Sequence, residues 1–303
     1  MSSNKEYTII NSPELESRKI VCLTLDVEQD YGELLDEPSY EGLEHIPELV
    51  SFFKERNIPL TCFVQGSLFE THPAQIEELM TLDAEFELHS YSHPRPGKTD
   101  FEFEVKKGTE AYRRFFAKDP LGYRAPLGYF NGKTDYEVLV SNGFKFDSSM
   151  WPFLRPGVFN NLRKPTKPYF VNDSRIIEFP APVFSSVIRI PIALSYIKLL
   201  SKPYLYLLRT SLFPRLIIFN FHLHDLFELS SSKKIPFEKC SIMYSKIFRR
   251  IYYEGQLNGL KLLDEFMSLC HKRQYEFLKL VNVYEATSNL EAKNDKAMAS
   301  QRI

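Results

Sequence analysis

The chain has 303 residues, 44% of them hydrophobic, and a formal net charge of −1. That is enough apolar material for a large core, and the near-neutral balance gives no electrostatic footprint for nucleic acid. No stretch reaches the roughly 18 uninterrupted apolar residues that span a bilayer. The four cysteines, at 22, 62, 240 and 270, follow no CxxC or regular spacing, so neither a disulfide framework nor a zinc ribbon is expected. Residues 1–11 have no apolar signal-peptide core, which makes the cytoplasm the expected compartment.

Residues 1–18 are polar and read as an N-terminal arm. Residues 19–26 read as a first strand, with β-favouring residues from Ile20 to Leu25 and the carboxylates Asp26 and Glu28 at its end. Apolar residues at 43, 46, 49, 50 and 53 make one helical face of residues 43–56. Residues 59–64 predict a second strand, and Thr71-His72-Pro73 opens a helix to about Leu82, with proline in its first turn. Residues 84–88 alternate apolar and charged side chains as a third strand leading into His89. Residues 101–116 have helical spacing, 122–124 a short strand, and 133–142 a helix ended by Gly143. Residues 144–147, 175–179 and 215–221 read as strands, 258–272 as a helix, and 275–280 as a last strand. Residues 286–303 form a polar tail, expected to be disordered.

Strands alternating with helices argue for parallel βαβ units. About seven parallel strands fit a (β/α) barrel, whose site gathers at the C-terminal strand ends. Residues 185–213 break the regularity: they are apolar, aromatic and basic, with Arg189, Lys198, Lys202 and Arg209 at intervals. They read either as a pair of amphipathic helices packed on the barrel or as an interfacial surface for a membrane or lipid-linked substrate.

Chemistry concentrates at those strand ends. His89 and His93 stand four residues apart, and Pro94 and Pro96 discourage a helix behind them, so two imidazoles on one loop can chelate one ion. Asp26 and Glu28 are costly to bury unless they meet a cation or hold a proton. Gly122-Tyr123-Arg124-Ala125-Pro126 supplies an arginine. Asp147 lies in Phe146-Asp147-Ser148-Ser149-Met150-Trp151, beside the only tryptophan, and His222 and His224 end the run Phe219-Asn220-Phe221-His222-Leu223-His224-Asp225. Each has a bland reading: an acidic turn, loop histidines, a surface ion pair, a turn cap, a core histidine. Their joint occurrence at successive strand ends is what points to a site.

In these five clusters, and in their order, the sequence resembles the polysaccharide deacetylases of the NodB-homology type, carbohydrate esterase family four. The resemblance runs from about Lys19 to Asp225, with a weaker tail to about Tyr284. The wording LTLDVEQDY, HSYSHP, GYRAP, FDSSMWP and FNFHLHD looks closest to the cytoplasmic-type exopolysaccharide and glycan-assembly subgroup. The commonest family form of the first motif has adjacent aspartates; here Val27 follows Asp26 and Glu28 comes next.

The resemblance implies an irregular barrel over residues 19–285 and one divalent metal, expected to be zinc. It implies Glu28, His89 and His93 as ligands, with Asp26 and Asp30 the other nearby carboxylates. It also implies Asp26 as general base, paired with Arg124, and His222 as general acid tuned by Asp147. His224 is the rival acid, since parity along an extended strand does not separate it from His222. A backbone N–H near Leu127 would meet the oxyanion. Trp151 reads either as a wall for a sugar ring or as packing. The implied substrate is an N-acetylated sugar in a glycan or glycan precursor. Other readings are hydrolysis of another C–N bond such as a cyclic amide, a degenerate carbohydrate-binding scaffold, and a two-histidine, one-carboxylate iron oxygenase.

Overall fold

The computed structural model describes residues 7–11, 16–95, 97–171, 176–211, 213–252 and 258–288. Seven parallel strands carry the fold: Ile20–Val27, Leu60–Val64, Ala84–Leu88, Gly122–Tyr123, Phe146–Asp147, Ile177–Glu178 and Leu216–His222. They lie side by side in chain order, except that Leu216–His222 flanks Ile20–Val27. Ile20–Val27 is buried along its whole length, as expected for a parallel strand covered on both faces. Among the described residues no pairing joins Ile177–Glu178 to Leu216–His222, so the expected barrel stays unclosed there.

The register matters more than the strand count. His222 pairs with Asp26, Leu88 with Tyr123, and Tyr123 with Asp147, whose other neighbour is Glu178. Parallel strands in this register put all their polar ends at one rim. The intervening helices pack outside. Ile46–Arg56 buries Ile46, Leu49, Val50 and Phe53 and stops at Asn57 in the left-handed region. Phe101–Phe116 is capped by the Asp100 side chain, which accepts the Glu102 N–H.

Three regions depart from expectation. Part of the polar arm, Tyr7–Ile9, adds an antiparallel edge strand to Tyr169–Val171. The last strand is only Glu276–Phe277, and residues 280–288 are helical. Two side chains receive that helix start: buried Thr61 Oγ1 accepts the Leu280 N–H, and the half-buried Glu85 carboxylate accepts the Val281 N–H. A carboxylate at a helix N-terminus satisfies otherwise orphaned donors. The tail beyond residue 288 lies outside the described residues.

The third is the 185–213 segment. It contains one helical run, Leu194–Thr210, broken at Ser201 (φ 56°, ψ −146°), so two helical pieces pack on the sheet as one reading expected. The interfacial reading loses two of its four charges. Arg189 is held by the Pro152, Lys164 and Ser186 carbonyls, which fix its position without neutralising it, while buried Lys198 donates to the Asp225 carbonyl. Arg209 pairs with Glu265 at 3.0 Å. Among the described residues, no helix is long and apolar enough to cross a membrane.

Candidate active site

Glu28, His89 and His93 are all buried at the rim. Glu28 Oε2 lies 2.8 Å from His89 Nε2 and 2.7 Å from His93 Nε2. His89 Nδ1 is 2.8 Å from the Arg124 carbonyl, an acceptor only, so Nδ1 carries the proton and Nε2 presents its lone pair to the carboxylate. A lone pair facing a carboxylate oxygen calls for a proton or a metal ion between them. Two imidazoles and one carboxylate are also the donors of catalytic zinc centres, with one ring nitrogen fixed by an outer acceptor. The residues therefore fit a divalent ion. Burial works against the Glu28 charge, but His93 and His89 outweigh it and hold the carboxyl well below its ordinary value. Asp30 stays apart: its carboxylate accepts from Ser39 Oγ (2.7 Å) and the Gly42 N–H (3.0 Å).

The loop carrying both histidines is held from beneath. Ser90 and His93 have left-handed backbones, with φ of 60° and 56°. Buried Glu104, on Phe101–Phe116, accepts the Ser90 and Ser92 hydroxyls and the Tyr91 and Ser92 N–H groups at 2.7–3.1 Å. Sequence reading missed Glu104 because its partners are 12–14 residues upstream and no local pattern links them. Glu104→Ala is expected to weaken metal affinity by roughly 10- to 100-fold, as for other groups that orient ligands. Metal titration of the refolded variant checks this, and unchanged affinity would leave Glu104 a purely structural anchor.

Asp26 sits between opposed partners. Its Oδ1 accepts from Arg124 Nη1 at 2.6 Å, and its Oδ2 accepts from Asn220 Nδ2 at 2.9 Å. Burial raises the Asp26 carboxyl, but Arg124, His89 and His222 more than compensate and hold it below its usual range. Arg124 is itself fixed by Thr24, by the Ser148 carbonyl and hydroxyl, and by the Phe63 ring beneath it. Asn220 had no assigned role in the sequence reading. Its signal was strand parity, since 220 and 222 share a face.

His222 corrects one expectation. Its Nδ1 lies 2.8 Å from Asp225 Oδ2, not against Asp147, while its Nε2 faces Asp26 Oδ2 at 3.5 Å and Glu28 Oε1 at 3.8 Å. The strand stops at His222 and the chain turns into the short helix Leu223–Leu226. That turn swings Asp225, three residues on, back onto the ring, where it also accepts the His222 N–H. Asp147 instead bonds the Ser149 N–H and hydroxyl and faces Glu178 on the neighbouring strand. Burial, then Glu178, push its carboxyl well up.

The same turn separates the two histidines. His224 is not on the strand; its Nδ1 accepts the Tyr31 N–H at 3.1 Å and its ring stacks on His222 at 4.8 Å. Burial and the neighbouring His222 lower its pKa to about 4. For His222, burial opposes the charge, but Asp225, Asp26 and Glu28 raise its pKa well above the ordinary value.

A cavity of about 570 Å³ opens over these groups. Trp151 and Leu127 both line it. Leu127 has φ 58°, and its neighbour Gly128 (φ 66°) lies so close to the Trp151 ring that a Cβ would come within 2.4 Å of Cδ1. Trp151 thus packs on Gly128 with one face of its surroundings and borders the cavity with another.

Residues 16–146 match the sequence model of the polysaccharide deacetylase family. The deacetylase match takes in Asp26, Glu28, His89, His93 and Arg124; Asn220, His222 and Asp225 lie beyond it and join the site through the fold. The chain is 32% identical to a peptidoglycan deacetylase of Helicobacter pylori over 114 residues, 37% of this chain and 39% of that relative. The alignment thus spans about two fifths of that protein's length. In fold, the chain resembles a candidate polysaccharide deacetylase from Mycobacterium smegmatis, with a TM-score of 0.60 at 18% identity, covering 95% of this chain and 96% of the other.

Proposed function

We propose that this protein is a metal-dependent hydrolase that removes the acetyl group from an N-acetylated sugar of a glycan or glycan precursor. One observation supports this above the rest: a buried two-histidine, one-carboxylate set stands beside Asp26, paired with Arg124, and His222, paired with Asp225. Glu28, His89 and His93 would hold the ion, with zinc best suited to the donor set. When bound, such an ion polarises a carbonyl oxygen and acidifies water.

The chain's own residues supply the proton traffic. Asp26, kept ionised by Arg124 and oriented by Asn220, accepts a proton from the attacking water at Oδ2 or Oδ1. The amide nitrogen is a poor leaving group until protonated, and His222 Nε2 donates that proton. Asp225 fixes the His222 tautomer and stabilises its charged form. His224 is neutral at neutral pH and acts as a neighbour that holds the His222 ring. The backbone at Leu127 is the proposed partner of the developing oxyanion.

The test is acetate release from a panel of N-acetylated sugars by protein stripped with chelator and reloaded with zinc. Release that disappears with stripping and returns with zinc is the expected result. Release indifferent to stripping, or none with any reloaded divalent ion, would sink the reading.

A further inference from the structure

We propose that the substrate's sugar is joined through a phosphate to a hydrocarbon chain, and that the chain lies in an apolar chamber continuous with the active site. The proposal rests on the deacetylase reading above and names its substrate class.

Away from Asp26, Glu28 and the histidines, the cavity is lined mainly by apolar and aromatic side chains, with Arg155 and Arg189 among them. Its other walls come from the Trp151–Phe153 loop, from Tyr196 and Leu199 on Leu194–Thr210, and from Met243 and Phe248 on Ile242–Tyr252. A glycan presents hydroxyls on most of its surface, and burying those against hydrocarbon without partners is costly. An aromatic ring can accept the apolar face of a sugar, but leucine and methionine walls have no such use. The apolar surface also continues outward: Leu154 is 46% exposed, Met243 43% and neighbouring Ile242 79%. A chain longer than the chamber would find a surface there.

Charge identifies the link. Arg155 and Arg189 both line this cavity, half-buried, and neither forms an ion pair among the described residues. Arg189 spends its Nε and Nη1 on backbone carbonyls, and Arg155 Nη1 lies 3.4 Å from the Leu127 carbonyl. Among the described residues, carbonyl contacts are what meets both positive charges, and no carboxylate does. Phosphate is an anion that guanidinium forks match in shape and charge. An acetamido sugar at the polar end, a phosphate at the arginines and hydrocarbon in the chamber fill each part of the cavity with its complement.

Trp151 is the only tryptophan and lines the chamber, so its fluorescence reports filling without any need for turnover. Decyl phosphate below its micelle concentration is expected to shift that emission. Each buried methylene tightens binding about fourfold, so four of them give on the order of 10²-fold over methyl phosphate. Decanol should bind more weakly than decyl phosphate. Arg155→Gln should erase that difference. Met243→Glu, at a site already partly open to water, should remove the chain-length dependence. Equal binding of methyl and decyl phosphate, or binding of uridine diphosphate with no response to alkyl phosphates, would overturn the proposal in favour of a soluble substrate. The two readings fail separately. Alkyl phosphate binding without acetate release from any N-acetylated sugar removes the deacetylase reading alone. Acetate release from soluble oligosaccharides with no chain-length effect removes the chamber's role alone.

Discussion

His89→Ala and His93→Ala are each expected to strip the divalent ion from the purified protein and abolish turnover. With one imidazole gone, a carboxylate and a single ring remain, and most of the chelate is lost. The ion's contribution to the transition state is several kcal/mol, so the fall in turnover should be on the order of 10³-fold or more. Glu28→Gln keeps the shape but removes the charge that both Nε2 atoms face at 2.7–2.8 Å. It should also lose the metal. Folding must be followed in parallel, because removing one member of a buried charged cluster leaves the others uncompensated. Zinc should raise the melting temperature of the parent protein by binding only the folded state, and should not raise that of the variants. Elemental analysis decides the matter: a folded His89/His93 double variant that keeps stoichiometric metal would refute the site. Full metal content in Glu28→Gln alone would move the carboxylate ligand to Asp26.

What the sequence made legible here were features written locally. Ile20–Val27 reads as a strand because a fully buried parallel strand is a continuous apolar run. Phe101–Phe116 reads as a helix because its periodicity is unbroken. The histidine pair is visible because both rings leave one short loop. What stayed hidden depended on the ends of elements and on partners distant in the chain. The stop of the strand at His222 depends on Asp225 capping the turn, and a reader who extends the strand places His224 on the wrong element. Asp147 stood at the right strand end for an acid's partner. Its register beside Glu178 is set by the pairing of Phe146–Asp147 with Ile177–Glu178, which local sequence does not encode. Glu104 and Asn220 matter because helix and sheet packing bring them to the loop and to Asp26.

The exchange of Asp147 for Asp225 as the partner of His222 has a kinetic consequence. His222 must carry a proton to act as an acid, so activity is lost as pH rises through its folded-state pKa. Burial lowers that pKa and Asp225, with Asp26 and Glu28, raises it further than burial lowers it. Asp225→Asn removes the charge at Nδ1, so the basic limb of the kcat/KM profile should move to lower pH and kcat should fall. His222→Ala should cut turnover by roughly 10²–10⁴, the usual worth of a general acid, most severely with poor leaving groups. Asp26→Asn should cost a similar factor while the metal stays bound. His224→Ala should be mild by comparison, because a ring with a pKa of about 4 is neutral at neutral pH and is not the acidic imidazolium. Asp147→Asn disturbs its contacts with Ser149 and Glu178, so it should lower the melting temperature and leave the basic limb in place. A limb that moves with Asp147→Asn and ignores Asp225→Asn would return Asp147 to the acid's side. A dead His224→Ala beside an active His222→Ala would hand the proton to the other histidine.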